Sequence, residues 1–167
     1  MAYSRIYLVG FMGSGKSTVG SALAGKLGWS FIDIDREIER AEGRTISAVF
    51  QEFGEPHFRS VEREFLNRFS EQEQSVIALG GGAFMDPRNR ELVRSTGIAV
   101  WLKVSFATVV NRVKMDGTRP MFGNIEQAEQ LFRTRERFYQ LAPIHVVADE
   151  RAAETIADEI TRVIATL

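Results

Sequence analysis

The run GFMGSGKS, from Gly10 to Ser17, carries the residue types of a phosphate site. It fits the spacing G-x-x-x-x-G-K-[ST], in which glycines let the backbone curl so that its N–H groups point at phosphate oxygens. Lys16 can reach the β- and γ-phosphates of a nucleotide, and the Ser17 hydroxyl can ligate Mg²⁺. A chance glycine-rich turn is the alternative, but the run lies between an apolar segment and a helical pattern, as the motif requires. The run, which we call the glycine loop, predicts binding of a nucleoside triphosphate by Met12, Gly13, Ser14, Gly15, Lys16, Ser17 and Thr18.

Two carboxylates, Asp33 and Asp35, follow the second apolar segment in FIDIDREIE. Because alternate residues of a strand share a face, the sequence predicts that both point the same way, beside the glycine loop. Next to a bound Mg²⁺-nucleotide, one acid can hold a metal-bound water and the other can orient or deprotonate an attacking hydroxyl. Alternatively, Asp35 is only the N-cap of a helix over residues 36–42, which leaves Asp33 without a reason in an apolar strand.

Two arginines occupy positions that a phosphate or carboxylate ligand would explain. Arg135 lies within the apolar stripe of a predicted helix, four residues after Leu131 and four before Tyr139. Its guanidinium either extends along the edge of the stripe into water or binds an anion in a pocket, and spacing leaves both open. Arg119 lies in KMDGTRPMFGN, whose pattern is typical of a mobile lid with glycine hinges. Arg119 is then either a stabiliser of transition-state charge or an ordinary exposed loop arginine.

Three glycines, Gly80 to Gly82, end the third apolar segment in ALGGGAF. A tight turn needs only one glycine, whereas three permit close approach of the backbone to a ligand. We therefore interpret this glycine run as part of a binding site.

Five short apolar segments supply the strands that must position these residues. They are nearly continuously apolar, as strands covered on both faces are, and they span residues 5–10, 30–35, 75–80, 98–104 and 144–148. Helices are predicted between and after them, at residues 16–27, 35–42, 45–53, 57–69, 86–95, 105–113, 126–141 and 151–164. This alternation predicts an α/β fold with a parallel sheet between helices, whose ligands bind at the carboxyl ends of the strands.

Length and charge narrow the classes of function. The 167 residues fit one domain, and the net charge of −1 gives no general basic field for nucleic acid or a membrane surface. The absence of cysteine excludes disulfides, thiolate catalysis and cysteine–zinc sites. No apolar run approaches about 18 residues, the length that a transmembrane helix needs. We expect a cytoplasmic monomer that binds neither nucleic acid nor membranes.

The chain resembles the shikimate kinase family over nearly its whole length. The motifs that carry the resemblance stand in family order: GFMGSGKST, the D-x-D of Asp33 and Asp35, Phe58-Arg59 after Gly-Glu, the glycine run, and Arg119-Pro120. The resemblance implies a three-layer α/β sandwich with a five-stranded parallel sheet, a P-loop NTPase of the nucleoside-monophosphate-kinase type. It implies a single kinase domain over residues 1–167, with a lid at about 114–125 and a substrate-binding helical region at about 35–62.

The activity that the resemblance implies is transfer of the γ-phosphoryl group of ATP to the 3-hydroxyl of shikimate, in aromatic amino-acid biosynthesis. Asp35 would hold the attacking hydroxyl, and Lys16 and Arg119 would stabilise the transferring phosphoryl group. Mg²⁺ would be bound by Ser17 and, through water, by Asp33.

Substrate contacts also follow from the resemblance. Arg59 and Arg135 would clamp the shikimate carboxylate, with backbone contacts from Gly81 and Gly82. Arg112 would pack on adenine, and Arg151 is the nearest candidate for a second adenine contact.

Three other functions stay open from the residues alone. A kinase for another hydroxy acid such as gluconate would need a similar site. A regulatory switch would hydrolyse nucleotide to control a partner, although the N-K-x-D guanine motif is missing. A protein that only binds nucleotide would not need the full set of Lys16, Asp33 and Asp35.

Overall fold

The computed structural model describes residues 3–116 and 125–167, and a five-stranded sheet lies at its centre. Each strand begins at the start of a predicted apolar run and ends slightly before the end of that run. The five predicted strands are therefore confirmed: β1 (Arg5–Val9), β2 (Ser30–Asp33), β3 (Ser75–Ala78), β4 (Ile98–Lys103) and β5 (Ile144–Val147).

The sheet is parallel at every pairing, in the order β2-β3-β1-β4-β5. Strand β1 is central, and its Leu8 aligns with Ala78 on one side and with Val100 on the other. Every residue of β3 and all but the last of β4 are buried, so both faces of the sheet are covered. The predicted parallel sheet between helices is confirmed.

Helices fill the connections between the strands. In the described residues they are α1 (Lys16–Leu27), α2 (Ile34–Glu42), α3 (Ile46–Phe69), α4 (Pro87–Thr96), α5 (Phe106–Asp116), α6 (Ile125–Tyr139) and α7 (Ala153–Ala165), with a short 3₁₀ helix over Ala83–Met85. Helices α1 and α7 pack against each other, and α3 packs against α2 and α4. The 3₁₀ helix was not predicted. Of the helices described, none is both long and apolar enough to cross a membrane.

Helix α3 contains a kink that the sequence predicts. Gly54 has φ 80° and ψ 169°, and Pro56, which lacks a backbone N–H, follows it. Helix α3 therefore consists of two successive helical segments, in agreement with the separate helices predicted over residues 45–53 and 57–69. The second segment carries Arg59 toward the end of β3, where the glycine run begins.

The local structure around Asp33 and Asp35 differs from the prediction. Strand β2 ends at Asp33, which is itself the N-cap of α2 and accepts a hydrogen bond from the Arg36 backbone N–H at 3.4 Å. Asp35 lies in the first turn of the helix. The prediction that the two carboxylates share a strand face was wrong, and so was the alternative in which Asp35 is the cap. The N-cap is Asp33, two residues before Asp35, because the Asp33 side chain satisfies a free N–H of the first turn of the helix.

We expect Leu8→Ala to lower the free energy of unfolding by about 2–5 kcal/mol, since it removes a fully buried side chain from the central strand. Leu141→Ala is the matched control, because Leu141 is 60% exposed, and its effect should stay within about 0.5 kcal/mol. Chemical denaturation of both variants measures the difference. Equal losses would contradict the position of Leu8 in the core.

Candidate active site

The glycine loop connects β1 to α1 and folds back on itself. Gly15 is the N-cap residue of α1, with φ 93°, a conformation that side chains disfavour. The Lys16 ammonium donates to the carbonyl oxygens of Gly10, at 2.8 Å, and Phe11, at 3.0 Å. The Lys16 ammonium therefore lies across the glycine loop, and it is predicted to bind the same phosphates as the loop.

Two further side chains of the loop are buried. Met12 is 8% exposed and Ser14 is 1% exposed. The Ser14 hydroxyl oxygen has no hydrogen-bond partner in the described part of the chain. A buried hydroxyl without a partner is costly, and a phosphate oxygen would satisfy it. Thr18, by contrast, is exposed on the first turn of α1.

Ser17 and Asp33 meet beside the loop. The Ser17 hydroxyl donates to Oδ2 of Asp33 at 2.5 Å, which joins the start of α1 to the end of β2. Hydroxyl and carboxylate oxygens are ligands that suit Mg²⁺, which usually keeps several waters and takes few protein ligands. Within the described residues, no group of three or more His, Cys, Asp or Glu side chains is placed to hold a metal ion. The pair therefore fits a metal shared with bound phosphates rather than a cage made by the protein.

The glycine run brings charged side chains from three helices onto one short stretch of backbone. A Cβ on Gly80 would lie 2.7 Å from Oδ1 of Asp35 and 2.6 Å from Oε1 of Glu62. Only glycine permits that approach. Arg135 and Arg59 follow along the same run: a Cβ on Gly81 would meet the Arg135 guanidinium at 3.2 Å, and one on Gly82 would overlap that of Arg59. We call these four side chains the charged cluster: Asp35, Arg59, Glu62 and Arg135.

Glu62 is the most buried member of the charged cluster, at 1% exposed. Its Oε2 accepts a hydrogen bond from the Arg59 guanidinium at 2.7 Å. Burial raises the pKa of the Glu62 carboxyl, and the neighbouring Arg59 opposes that rise. Arg59 also donates to the exposed Glu55 at 3.2 Å. Glu62 therefore fixes the guanidinium of Arg59 against the glycine run.

Sequence reasoning missed Glu62, although a signal was present. Glu62 follows the buried Phe58 by four residues and precedes the buried Leu66 by four, so it lies within the apolar stripe of α3. The same argument singled out Arg135 on α6. A charged residue inside an apolar stripe requires a partner, and Arg59 lies three residues before Glu62 on the same helix.

Two residues of α6, Arg135 and Tyr139, lie against the glycine run at Gly81. The Arg135 guanidinium lies over the Phe11 ring, 5.7 Å from the ring centre, so a side chain of the glycine loop supports it. Tyr139, one helical turn later and 2% exposed, donates its hydroxyl to the Gly81 carbonyl oxygen. Burial raises the pKa of Tyr139, so its hydroxyl stays a donor at ordinary pH. Tyr139 also escaped sequence reasoning, which treated it only as part of the apolar stripe.

The two arginines predicted near adenine lie on the β4–β5 side of the glycine loop. Arg112 donates to the carbonyl oxygens of Gly13, at 3.0 Å, and Ala148, at 3.1 Å. Arg151 instead donates to the Val147 carbonyl and pairs with Glu159 of α7, at 2.6 Å. The structure thus joins Arg112, but not Arg151, to the loop.

The predicted lid and its arginine are not part of this geometry. The lid at 114–125 overlaps residues 117–124, and Arg119 with them lies outside the described residues. The remaining predicted residues fall into two groups on either side of the glycine loop, one around the charged cluster and one around Arg112.

Solved structures resemble the chain along its full length. The shikimate kinase from Acinetobacter baumannii in complex with shikimate superposes with a TM-score of 0.92 at 36% identity, covering 98% of this chain and 94% of that one. A gluconokinase from Sinorhizobium meliloti 1021 gives a TM-score of 0.62 at 20% identity, over 98% and 92% of the two chains. The second likeness shows a shared fold only.

Sequence relatives point to the same family as the first of these structures. The shikimate kinase of Sulfurihydrogenibium sp. (strain YO3AOP1) is 46% identical over 157 residues, which are 93% of this chain and 95% of the relative. The family model described as Shikimate kinase matches residues 12–165, from the glycine loop to the end of α7. The chain therefore belongs to the shikimate kinase family, as its motifs predict.

Proposed function

We propose that this protein transfers the γ-phosphoryl group of ATP to the 3-hydroxyl of shikimate, giving shikimate 3-phosphate and ADP in the pathway to chorismate and the aromatic amino acids. The observation that carries the proposal is the polarity of the charged cluster. Carboxylates lie at one end of the glycine run and guanidiniums at the other. The run spans about 7 Å between its first and last Cα atoms at most, a length that suits a small ring bearing a hydroxyl and a carboxylate.

The carboxylate end of the glycine run, at Gly80, binds and deprotonates the attacking hydroxyl. Asp35 accepts the proton of the shikimate 3-hydroxyl while the hydroxyl oxygen attacks the γ-phosphorus. The bond from that phosphorus to the β,γ-bridging oxygen breaks, and its electron pair leaves with ADP. Glu62 lies beside Asp35, but it is a poor candidate for this base because its Oε2 already accepts a hydrogen bond from Arg59.

The basic end binds the acceptor carboxylate. Arg59 and Arg135 offer planar, forked donors that match a carboxylate, and Gly81 and Gly82 offer backbone contacts. Tyr139 holds the Gly81 carbonyl, so this part of the backbone is fixed before substrate arrives. Water carries no carboxylate and therefore receives none of this binding.

The glycine loop binds the phosphates of the nucleotide in this proposal. Lys16 would exchange two carbonyl partners for charged phosphate oxygens, which make stronger hydrogen bonds. Arg119 is proposed to add positive charge at the transferring group from the lid. Arg112 and Arg151 are proposed at the adenine end. The single kinase domain over 1–167 and the substrate-binding region at 35–62 belong to the same proposal.

Mg²⁺ is the proposed cofactor. Ser17 would hold it directly and Asp33 through a water molecule, because these side chains place two oxygens together beside the phosphate loop. The ion would supply positive charge that neutralises the charge developing on the phosphate oxygens during transfer. We also propose that the protein acts as a monomer in the cytoplasm.

The first experiment measures ADP release from ATP and Mg²⁺ with shikimate, with gluconate and with no acceptor. We expect a rate with shikimate far above the other two. Gluconate also carries a carboxylate and hydroxyls, so equal rates would favour a broader hydroxy-acid kinase. High release without any acceptor would favour a hydrolytic switch instead.

Asp35→Asn should lower kcat by about 10²–10⁴-fold, because the amide cannot accept the hydroxyl proton. The control is Asp158→Asn, which removes an exposed carboxylate that pairs with Lys26 on the surface, and it should retain full turnover. Melting curves establish that both variants are folded. Unchanged kcat in folded Asp35→Asn would remove its role as the base.

Arg135→Lys should raise KM for shikimate about tenfold or more and leave KM for ATP unchanged, because lysine keeps the charge but loses the planar fork. Arg133→Lys is the matched control on the same helix, where the side chain is 73% exposed and pairs with Glu129. Steady-state kinetics with each substrate varied in turn measures both constants. A rise in KM for ATP alone would place Arg135 on the wrong side of the loop.

A further inference from the structure

A carboxylate after β5 holds the beginning of α5. The two oxygens of Asp149 accept hydrogen bonds from the Ser105 backbone N–H, at 2.9 Å and 3.1 Å. Asp149 also accepts from the hydroxyl of Ser105, at 3.0 Å, and from that of Thr108. One side chain therefore ties the β5–α7 connection to the first turn of α5, and we call these three residues the Asp149 clasp.

The Asp149 carboxylate of the clasp stays ionised, and the residue that follows it has an unusual backbone conformation. Burial works to raise the pKa of Asp149, but the hydrogen bonds from Thr108 and Ser105 outweigh it and lower the pKa. The next residue, Glu150, has φ 52°, a left-handed conformation that is rare for a residue with a side chain. Such a conformation persists where surrounding contacts over-determine it, as those of Asp149 do here.

Arg112 connects the clasp to the glycine loop. It lies four residues after Thr108 on α5, so both side chains share one face of the helix. Its guanidinium donates to the carbonyls of Gly13 and of Ala148, the residue just before Asp149. Asp149 thus fixes both the helix that carries Arg112 and the connection that Arg112 contacts.

The order of the strands indicates which part of a nucleotide would lie here. The charged cluster belongs to the β2–β3 side of β1, whereas the clasp belongs to the β4–β5 side. With its phosphates in the glycine loop and its γ-phosphate toward the acceptor, a nucleotide must extend its nucleoside end toward β4 and β5. An aromatic base can stack on a planar guanidinium, and Arg112, held by the carbonyls of Gly13 and Ala148, supplies one on this side.

We propose that Asp149 is a positioning residue for the nucleoside end of the donor: its clasp holds Arg112 and the β5–α7 connection as the two walls of that site. This inference rests on the proposed function only in taking an adenine nucleotide as the donor. It predicts that loss of the clasp weakens binding of the nucleoside part and spares both the phosphates and the acceptor.

The test compares Asp149→Ala, Asp149→Asn and the control Asp86→Asn by calorimetry, with Mg²⁺–ADP and with inorganic tripolyphosphate, in the absence of any acceptor. Asp86 matches Asp149 because it also accepts from the first turn of a helix, at Arg88, and pairs with arginines. We expect Asp149→Ala to weaken ADP about tenfold or more, and Asp149→Asn less, because the amide keeps one acceptor oxygen. Tripolyphosphate affinity and the control should be unchanged.

Kinetics supplies the readout that a purely structural role would not produce. In the Asp149 variants, KM for ATP should rise while KM for the acceptor stays constant. Unchanged ADP affinity would overturn the proposal, and so would an equal loss for ADP and tripolyphosphate. If Asp149→Ala does not fold, Asp149→Asn carries the test. If the wild-type protein binds ADP but does not phosphorylate shikimate, the proposed function fails, and the ADP measurements still decide the role of Asp149.

Discussion

The ion pair between Arg59 and Glu62 is the interaction on which the proposed acceptor side of the site depends. Glu62 is almost completely buried, and a buried carboxylate without a partner is strongly destabilising. Arg59 satisfies one of its oxygens and is itself held in place by the contact. A flexible surface arginine would have to be ordered by substrate, which costs binding energy. Here the ordering is done during folding, so the guanidinium stands ready against the glycine run.

The glycine run is the backbone counterpart of that ion pair. Charged side chains can pack against Gly80 and Gly82 only because these residues have no Cβ. The run also follows β3 directly, and β3 is next to β1, whose loop is predicted to hold the phosphates. A parallel sheet puts both strand ends at one edge, so the proposed alignment of donor and acceptor would follow from the sheet itself.

The sequence predicted the features that depend on local patterns. Apolar runs predicted five strands, and separate helical patterns over residues 45–53 and 57–69 predicted the break in α3 that the structure places at Gly54. Prediction from the sequence failed where the position of a residue depends on the exact end of a strand or on a contact distant along the chain. The end of β2 lies at Asp33, so an argument from strand faces placed Asp35 wrongly. Asp149 gains its partners only on folding, because Ser105 and Thr108 lie 44 and 41 residues away along the chain. Glu62 has its partner Arg59 on the same helix, but its other charged neighbours, Asp35 and Arg135, come from α2 and α6.

The two sides of the site explain why such a protein would act as a kinase rather than as a hydrolase. Binding energy from a part of the substrate that does not react can be used to align the part that does. The acceptor carboxylate would bind Arg59 and Arg135, far from the transferred group, and this contact would place the hydroxyl at Asp35. Water is small enough to reach the phosphate but has nothing for the arginines to bind. Phe11 supports Arg135, so the glycine loop that we propose to bind phosphate would also support the arginine that we propose to bind the acceptor carboxylate.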